Sequence, residues 1–312
     1  MLKPFIELIN FPMKFMSISS YNPIYSLTRF APTPSGYLHL GNIFSFLTTF
    51  KIAKTHHAKI LLRIDDMDRE RVRKEYIQDI FDTLDFLEIP YDLGPKNLKH
   101  FESEYAQKNR MELYLDALET LKKTGKLFAC NCSRKKILDL NPNGYYSGYC
   151  RDRFLGFNKK NIAWRFCVDA RESISFMDIE AGITEGNLPE ILADFIVRRK
   201  DGLPAYQLSS VVDDLYFGVD LIVRGKDLLG STMTQVHLSK FLSNNSFGQI
   251  GFFHHSLIRK ADGQKLSKSA GDTSVQFLRK SGKKKEDIFE MIGKRMGQDT
   301  PIRGLQDFIL LS

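Results

Sequence analysis

The stretch from Leu27 to Ile64 narrows the possible folds more than any other. Leu27-Thr-Arg-Phe-Ala31 reads as a short strand, which Pro32, Pro34 and Gly36 break. Residues 42–56 then have helical character and run into a basic, histidine-bearing end. Lys59-Ile-Leu-Leu-Arg-Ile64 reads as a buried second strand. A charged turn over 65–73 follows, and residues 76–87 carry apolar side chains at helical spacing. Strand, helix, strand, helix with short links predicts parallel strands joined by crossover helices. The expected class is therefore α/β, with a doubly wound parallel (Rossmann-type) sheet. Downstream, residues 110–126 read as a helix ending at Lys122, Lys123 and Gly125. Residues 162–180 alternate like strands, most clearly over 163–168. Alternation resumes at 191–199, then come a helix over 206–214, a strand over 220–224 and a helix to about Phe241.

Composition limits the function classes. The chain has 312 residues, 43 % apolar and 26 % charged, as expected of a soluble globular protein with about two domains. No apolar run reaches the roughly 18 residues that cross a bilayer, so no membrane association is expected. The apolar start is broken by Pro12 and Lys14 and lacks a small-residue cleavage site. Residues 1–25 are thus expected to be a dispensable extension, and the chain cytoplasmic. The net charge of +8 points weakly to a polyanionic partner. Twelve Lys and Arg against seven acidic residues in 257–312 put +5 of it in the tail, as a phosphate-backbone contact would need. A solvated helical face is the bland alternative. Of four cysteines, Cys130, Cys132 and Cys150 lie within 21 residues, a spacing that suits a metal site better than disulfides.

Two motifs carry chemistry. Arg29-Phe-Ala-Pro-Thr-Pro-Ser-Gly-Tyr-Leu-His-Leu-Gly-Asn42 sits where the first strand hands over to the first helix, the ligand crevice of a doubly wound sheet. Gly36 and Gly41 allow close backbone approach, and His39 can donate to a phosphate. The competing reading is a Pro/Gly-rich turn that His39 merely caps. Lys265-Leu-Ser-Lys-Ser269 offers two lysines and two hydroxyls, suited to clamping a triphosphate and offsetting charge as pyrophosphate departs. Alone it would be an ordinary basic loop.

In this order, the two motifs resemble the HIGH and KMSKS signatures of class I aminoacyl-tRNA synthetases. Arg29-Phe-Ala-Pro-Thr-Pro-Ser-Gly36, Arg63-Ile-Asp-Asp-Met-Asp68 and Val211-Val-Asp-Asp214 resemble the glutamyl branch. Asn42 replaces the second histidine of HIGH, and Leu266 the methionine of KMSKS; both changes occur in that branch. The resemblance implies that His39, Lys265 and Lys268 are catalytic. ATP would be bound by His39, Gly41, Leu257, Ile258, Lys265, Ser267 and Lys268, with Mg²⁺ bridging its phosphates. It implies a glutamate pocket of Arg29, Ala31, Ser35, Asp65, Tyr206 and Arg224. Arginine suits this because its planar fork meets a carboxylate with two parallel bonds. Asp65 stands where the family usually has Glu, one methylene longer, against the substrate amine.

Only 43 residues follow Ser269, fewer than an anticodon-binding domain needs. Together with Val223-Arg-Gly-Lys-Asp-Leu228 and Cys130-Asn-Cys132…Tyr146-Ser-Gly-Tyr-Cys150, this resembles the glutamyl-queuosine tRNA(Asp) synthetases, paralogues of glutamyl-tRNA synthetase. The resemblance implies structural Zn²⁺ on Cys130, Cys132, Tyr146 and Cys150. Cys167 is the rival fourth ligand, read here as an ordinary buried core residue. The expected reaction activates L-glutamate with ATP and transfers it to queuosine in the anticodon loop of tRNA(Asp), with the enzyme a monomer. Alternatives are a compact glutamyl-tRNA synthetase charging the 3′ end of tRNA(Glu), a non-catalytic RNA-binding paralogue, or a small-molecule nucleotidyltransferase. The expected layout is an extension (1–25), two halves of a Rossmann catalytic domain (26–115 and 191–256), a zinc-bearing insertion (116–190), and the KLSKS loop with a helical RNA-contact tail (257–312).

Overall fold

The structure, a computed structural model, describes residues 14–16, 24–169, 172–258 and 274–311. In chain order its strands are β1 (Lys14–Met16), β2 (Leu27–Phe30), β3 (Lys59–Leu62), β4 (Leu127–Cys130), β5 (Ala163–Phe166), β6 (Ser173–Asp178), β7 (Gly182–Asn187), β8 (Ile196–Arg198), β9 (Leu221–Gly225) and β10 (Gly251–His255). Its α-helices are α1 (Leu40–Thr55), α2 (Lys74–Phe86), α3 (Leu98–His100), α4 (Met111–Lys123), α5 (Arg134–Leu140), α6 (Tyr206–Phe217), α7 (Leu229–Ser239), α8 (Val275–Lys280), α9 (Lys285–Arg295) and α10 (Leu305–Ile309). The described residues fall into two compact units. The first lies within Asn22–Asn109, Val219–Lys226 and Phe253–Ser312; the second within Met1–Tyr21, Arg110–Gly218 and Asp227–Phe252.

In the first unit β2 and β3 pair in parallel, Leu27 opposite Lys59 and Phe30 opposite Leu62. This is the crossover unit that the 27–64 pattern requires. The link α1 buries Leu40, Ile43, Phe46, Leu47 and Phe50, so it is apolar on most of its surface. That suits a helix with β2 and β9 on one side and α9 and α10 on another. Asp220, just ahead of β9, accepts from the amides of Ser26 and Leu27 at 2.8 and 2.9 Å and joins the start of β2 to β9. Beside β3, Gly94 adopts φ +112°, where a Cβ would stand 2.4 Å from the Leu62 carbonyl oxygen. Only glycine fits that approach.

The second unit is mainly antiparallel. β4, β5 and β8 form one sheet. β6 and β7 form a hairpin. Gly251 and Phe252 of β10 run parallel to β6. The backbone of 14–16, within the segment read as an extension, pairs with Ile183–Glu185 of β7 as an added strand. Under α6 lies a buried network. Arg110 holds Asp213 by two bonds of 2.6 and 2.9 Å, and the Tyr114 hydroxyl donates to the same carboxylate at 2.5 Å. Asp213 belongs to the Val211-Val-Asp-Asp214 motif, and the structure gives it this packing duty.

Candidate active site

At the end of β2 the chain turns through Pro32 and Pro34 into α1. The Arg63 amide donates to the Phe30 carbonyl, and the Asp65 amide donates to that of Pro32 at 3.0 Å. The stretch from Arg29 to Ser35 and Asp65 are thereby brought together. Ala31 and Ser35 are both partly exposed on this turn.

His39 is the N-cap of α1. Its Nδ1 accepts from the amides of Gly41 and Asn42 at 3.1 and 3.3 Å, and Asn42 Oδ1 accepts from the His39 amide at 3.1 Å. The capping alternative is therefore real, yet it does not compete with a role toward phosphate. A neutral imidazole that accepts at Nδ1 carries its proton on Nε2. The cap thus fixes the tautomer with its proton on Nε2, at a helix N-terminus whose dipole favours an anion.

Both arginines expected in the pocket are buried. Arg29 is 5 % exposed and Arg224 is 3 % exposed. Arg29 Nη1 donates to the carbonyl of Val223 at 3.4 Å, which sets it against the strand that carries Arg224. A solvated surface role is excluded for both. Asp65, expected to face the substrate amine, is held in place by its neighbour Arg63. Arg63 Nε and Nη2 grip its two oxygens at 2.8 and 3.0 Å, and both residues are buried. Arg63 was legible only as part of a motif, because its partner two residues on becomes visible once both side chains turn to one face.

Leu257 and Ile258 follow β10. Ile258 packs in the same apolar cluster as Leu38, Leu40 and Val275. Lys265, Ser267 and Lys268 lie outside the described residues. Among described residues, His39 pairs with Ser274 as a β-bridge, and Val275 donates to the Leu38 carbonyl at 2.8 Å. Tyr206 belongs to the second unit, where it opens α6 and is half-exposed.

The second unit also holds the cysteine cluster. Cys130 closes β4, and the sulfurs of Cys130, Cys132 and Cys150 all lie within 4.8 Å of one another, fully buried. Cys132 and Cys150 Sγ are 3.6 Å apart. A tetrahedral zinc with Zn–S bonds of about 2.3 Å needs sulfurs about 3.8 Å apart, so the three thiols fit the ion. The Tyr146 hydroxyl accepts from the Cys150 amide at 2.7 Å, and the Arg165 guanidinium stacks 3.8 Å from its ring centroid. Burial, then the neighbouring sulfurs, pushes the Cys132 thiol up to about 12. Burial pushes the Tyr146 phenol up as well. Burial also raises Cys150, but hydrogen bonds from Tyr146 and Cys132 outweigh it and leave that thiol below its ordinary value. Cys167 is not in this cluster, and it is partly rather than wholly out of water, which corrects its reading as an ordinary buried core residue. Its surroundings are Arg151 and Asp194.

The profile of the family "tRNA synthetases class I (E and Q), catalytic domain" matches residues 26–309. The chain belongs to this family. A glutamyl-Q tRNA(Asp) synthetase of Dechloromonas aromatica is 37 % identical over 246 residues, 77 % of each chain. Glutamate–tRNA ligase 2 of Syntrophus aciditrophicus is 32 % identical over 297 residues, 90 % of this chain and 60 % of the ligase. In three dimensions the chain is similar to the glutamate-tRNA synthetase of Elizabethkingia anophelis. There the TM-score is 0.72 at 23 % identity, covering 91 % of this chain and 65 % of that one. That likeness gives the class I synthetase fold, α/β with a Rossmann-type parallel core. Among the described residues no helix is long and apolar enough to cross a membrane.

Proposed function

We propose that this synthetase-family chain activates L-glutamate with ATP and transfers the glutamyl group to queuosine in the anticodon loop of tRNA(Asp). The observation that carries the activation step is the first unit's end of β2, where His39 caps α1 while Arg29 and Arg224 lie buried with their guanidinium groups. Two guanidinium forks at this end of β2 suit the side-chain carboxylate of glutamate, because each can meet a carboxylate with two parallel bonds. Asp65, oriented by Arg63, supplies the opposite charge for the substrate ammonium.

The α-carboxylate of glutamate attacks the α-phosphorus of ATP; a P–O bond forms and the bond to pyrophosphate breaks. The protein acts by positioning and neutralising charge. His39 Nε2–H donates to a phosphate oxygen. Lys265 and Lys268 offset the charge on departing pyrophosphate, with Ser267 between them, and the main chain of Gly41, Leu257 and Ile258 borders the nucleotide. Arg29, Ala31, Ser35 and Arg224 line the amino-acid pocket. A queuosine hydroxyl then attacks the adenylate carbonyl and AMP leaves. Cys130, Cys132 and Cys150, with Tyr146, would hold Zn²⁺, which when bound cross-links its loop and takes no part in the chemistry.

The queuosine acceptor is supported by the matched glutamyl-Q relative, which has the higher identity and an equal share of both chains. The ligase match favours a second reading, charging of tRNA(Glu). Labelled glutamate and ATP, incubated with queuosine-containing tRNA(Asp), queuosine-free tRNA(Asp) or tRNA(Glu), decide between them. Label is expected only on the first. Label on tRNA(Glu) alone overturns the acceptor, and no glutamate-dependent ATP–pyrophosphate exchange overturns the activation step.

A further inference from the structure

The peptide just ahead of His39 is held from two sides by residues that neither motif contains. On one side, the Leu38 amide donates to Asp79 Oδ2 at 3.1 Å. On the other, the Leu38 carbonyl accepts from the Val275 amide at 2.8 Å. Asp79 comes from the middle of α2 and is 2 % exposed, so its carboxylate has been taken almost fully out of water. Such a group is costly unless its oxygens are satisfied. Thr83 Oγ1 donates to Oδ1 at 3.4 Å, and Arg279 Nη2 lies 3.6 Å from the same oxygen. Arg279 is itself aimed by a 2.9 Å bond from Nη1 to the Asp82 carbonyl, and it sits on α8 four residues after Val275. One carboxylate thus joins the turn that presents His39 to the helix that starts six residues after Ser269.

We infer that Asp79, set by Arg279, is a positioning residue for His39: it fixes the Leu38 peptide, and hence the direction of the imidazole, against α8. The inference rests on the reading of His39 as a phosphate donor. A carboxylate at this buried position is costly, and an apolar residue could fill the same space without desolvating a charge. Its geometry makes sense as a tie to an amide that α1's own cap leaves out, since the cap satisfies His39, Gly41 and Asn42 but not Leu38. The energetic consequence is a coupling. Removing Asp79 harms ATP use only while His39 is present to be misplaced.

The experiment is a cycle of His39→Ala and Asp79→Ala on the full chain, read by binding of a fluorescent ATP analogue without amino acid and by glutamate-dependent ATP–pyrophosphate exchange. Asp79→Ala is expected to weaken ATP binding by about tenfold, with the glutamate KM unchanged within about twofold. In the His39→Ala background the same change is expected to add less than about twofold. Arg279→Gln, at a partly exposed position, is expected to weaken ATP binding by about threefold and keeps the test decidable if Asp79→Ala does not fold. Wild-type ATP binding in Asp79→Ala, or in Arg279→Gln where Asp79→Ala fails to fold, overturns the inference. So do losses that multiply in the double variant, because a purely structural role gives independent effects. A wild-type chain that binds the analogue but shows no glutamate-dependent exchange overturns the glutamate reading and leaves the coupling in ATP binding to stand by itself.

Discussion

Asp213→Ala offers the sharpest test of what the second unit's buried charges do. Asp213 accepts two bonds from Arg110, at 2.6 and 2.9 Å, and one from Tyr114 at 2.5 Å. Both ionic partners are buried, so the substitution leaves the Arg110 guanidinium without its carboxylate in a place water does not reach. Breaking a buried pair from one side costs about 3–5 kcal/mol. With a urea slope near 3 kcal/mol/M, the upper end of the usual range, the midpoint should fall by about 1–1.7 M. That is a large part of the roughly 5–15 kcal/mol that holds a native protein together. The partner stack, Arg110 Cζ 5.2 Å from the Phe217 ring centroid, remains and does not replace an anion. Replacing both residues with leucine removes the uncompensated charge and should return most of the loss, because apolar residues fill such a site without desolvation cost. Urea unfolding followed by circular dichroism, on the wild type, Asp213→Ala, the single variants Asp213→Leu and Arg110→Leu, and their double variant, measures this directly. A single variant within about 0.5 kcal/mol of the wild type would refute the reasoning. Equally, single-variant losses that simply add in the double variant would show that the two side chains do not answer to each other.

Three further outcomes are expected. Arg224→Ala should raise the glutamate KM by at least about a hundredfold while moving the ATP KM little, as loss of a charge-assisted fork does; steady-state exchange kinetics check it, and an unchanged glutamate KM would remove Arg224 from the pocket. Purified protein should carry one zinc by elemental analysis, lose it with Cys150→Ser, and melt several degrees lower after chelation; a metal-free, equally stable protein contradicts the cluster reading. Gly94→Ala should destabilise the first unit by about 2–4 kcal/mol in urea unfolding, since its Cβ would collide with the Leu62 carbonyl at a positive φ, and a neutral effect would mean that this turn relaxes freely.

Elements whose cause is local were legible. The Pro32–Pro34–Gly36 break and the apolar stretches around it gave β2, α1 and β3 to within a few residues, with α1 starting at Leu40 rather than Asn42 because His39 and Asn42 cap each other. The helices α4, α6 and α7 were also read, α4 with its end marked by Lys122, Lys123 and Gly125. Missed elements include α5, β7 with glycines at its first and fifth positions, the strands β4 and β10, and the short β1, which pairs with β7. At the candidate site, His39, Arg29 and Arg224 could be named from their motifs. What each carboxylate does could not.

Amino-acid order alone determined the parallel crossover, the turn that presents His39, and the close set of three thiols, because each follows from spacing within a few tens of residues. Tertiary structure alone decided which charges meet. Asp65 turned to Arg63, Asp213 to Arg110 from 103 positions away, and Asp79 to the Leu38 amide from 41 positions away. The reason is physical. Backbone propensity and apolar period act along the chain, whereas the cost of burying a charge is met by whatever opposite charge or amide the packed fold brings within about 3 Å.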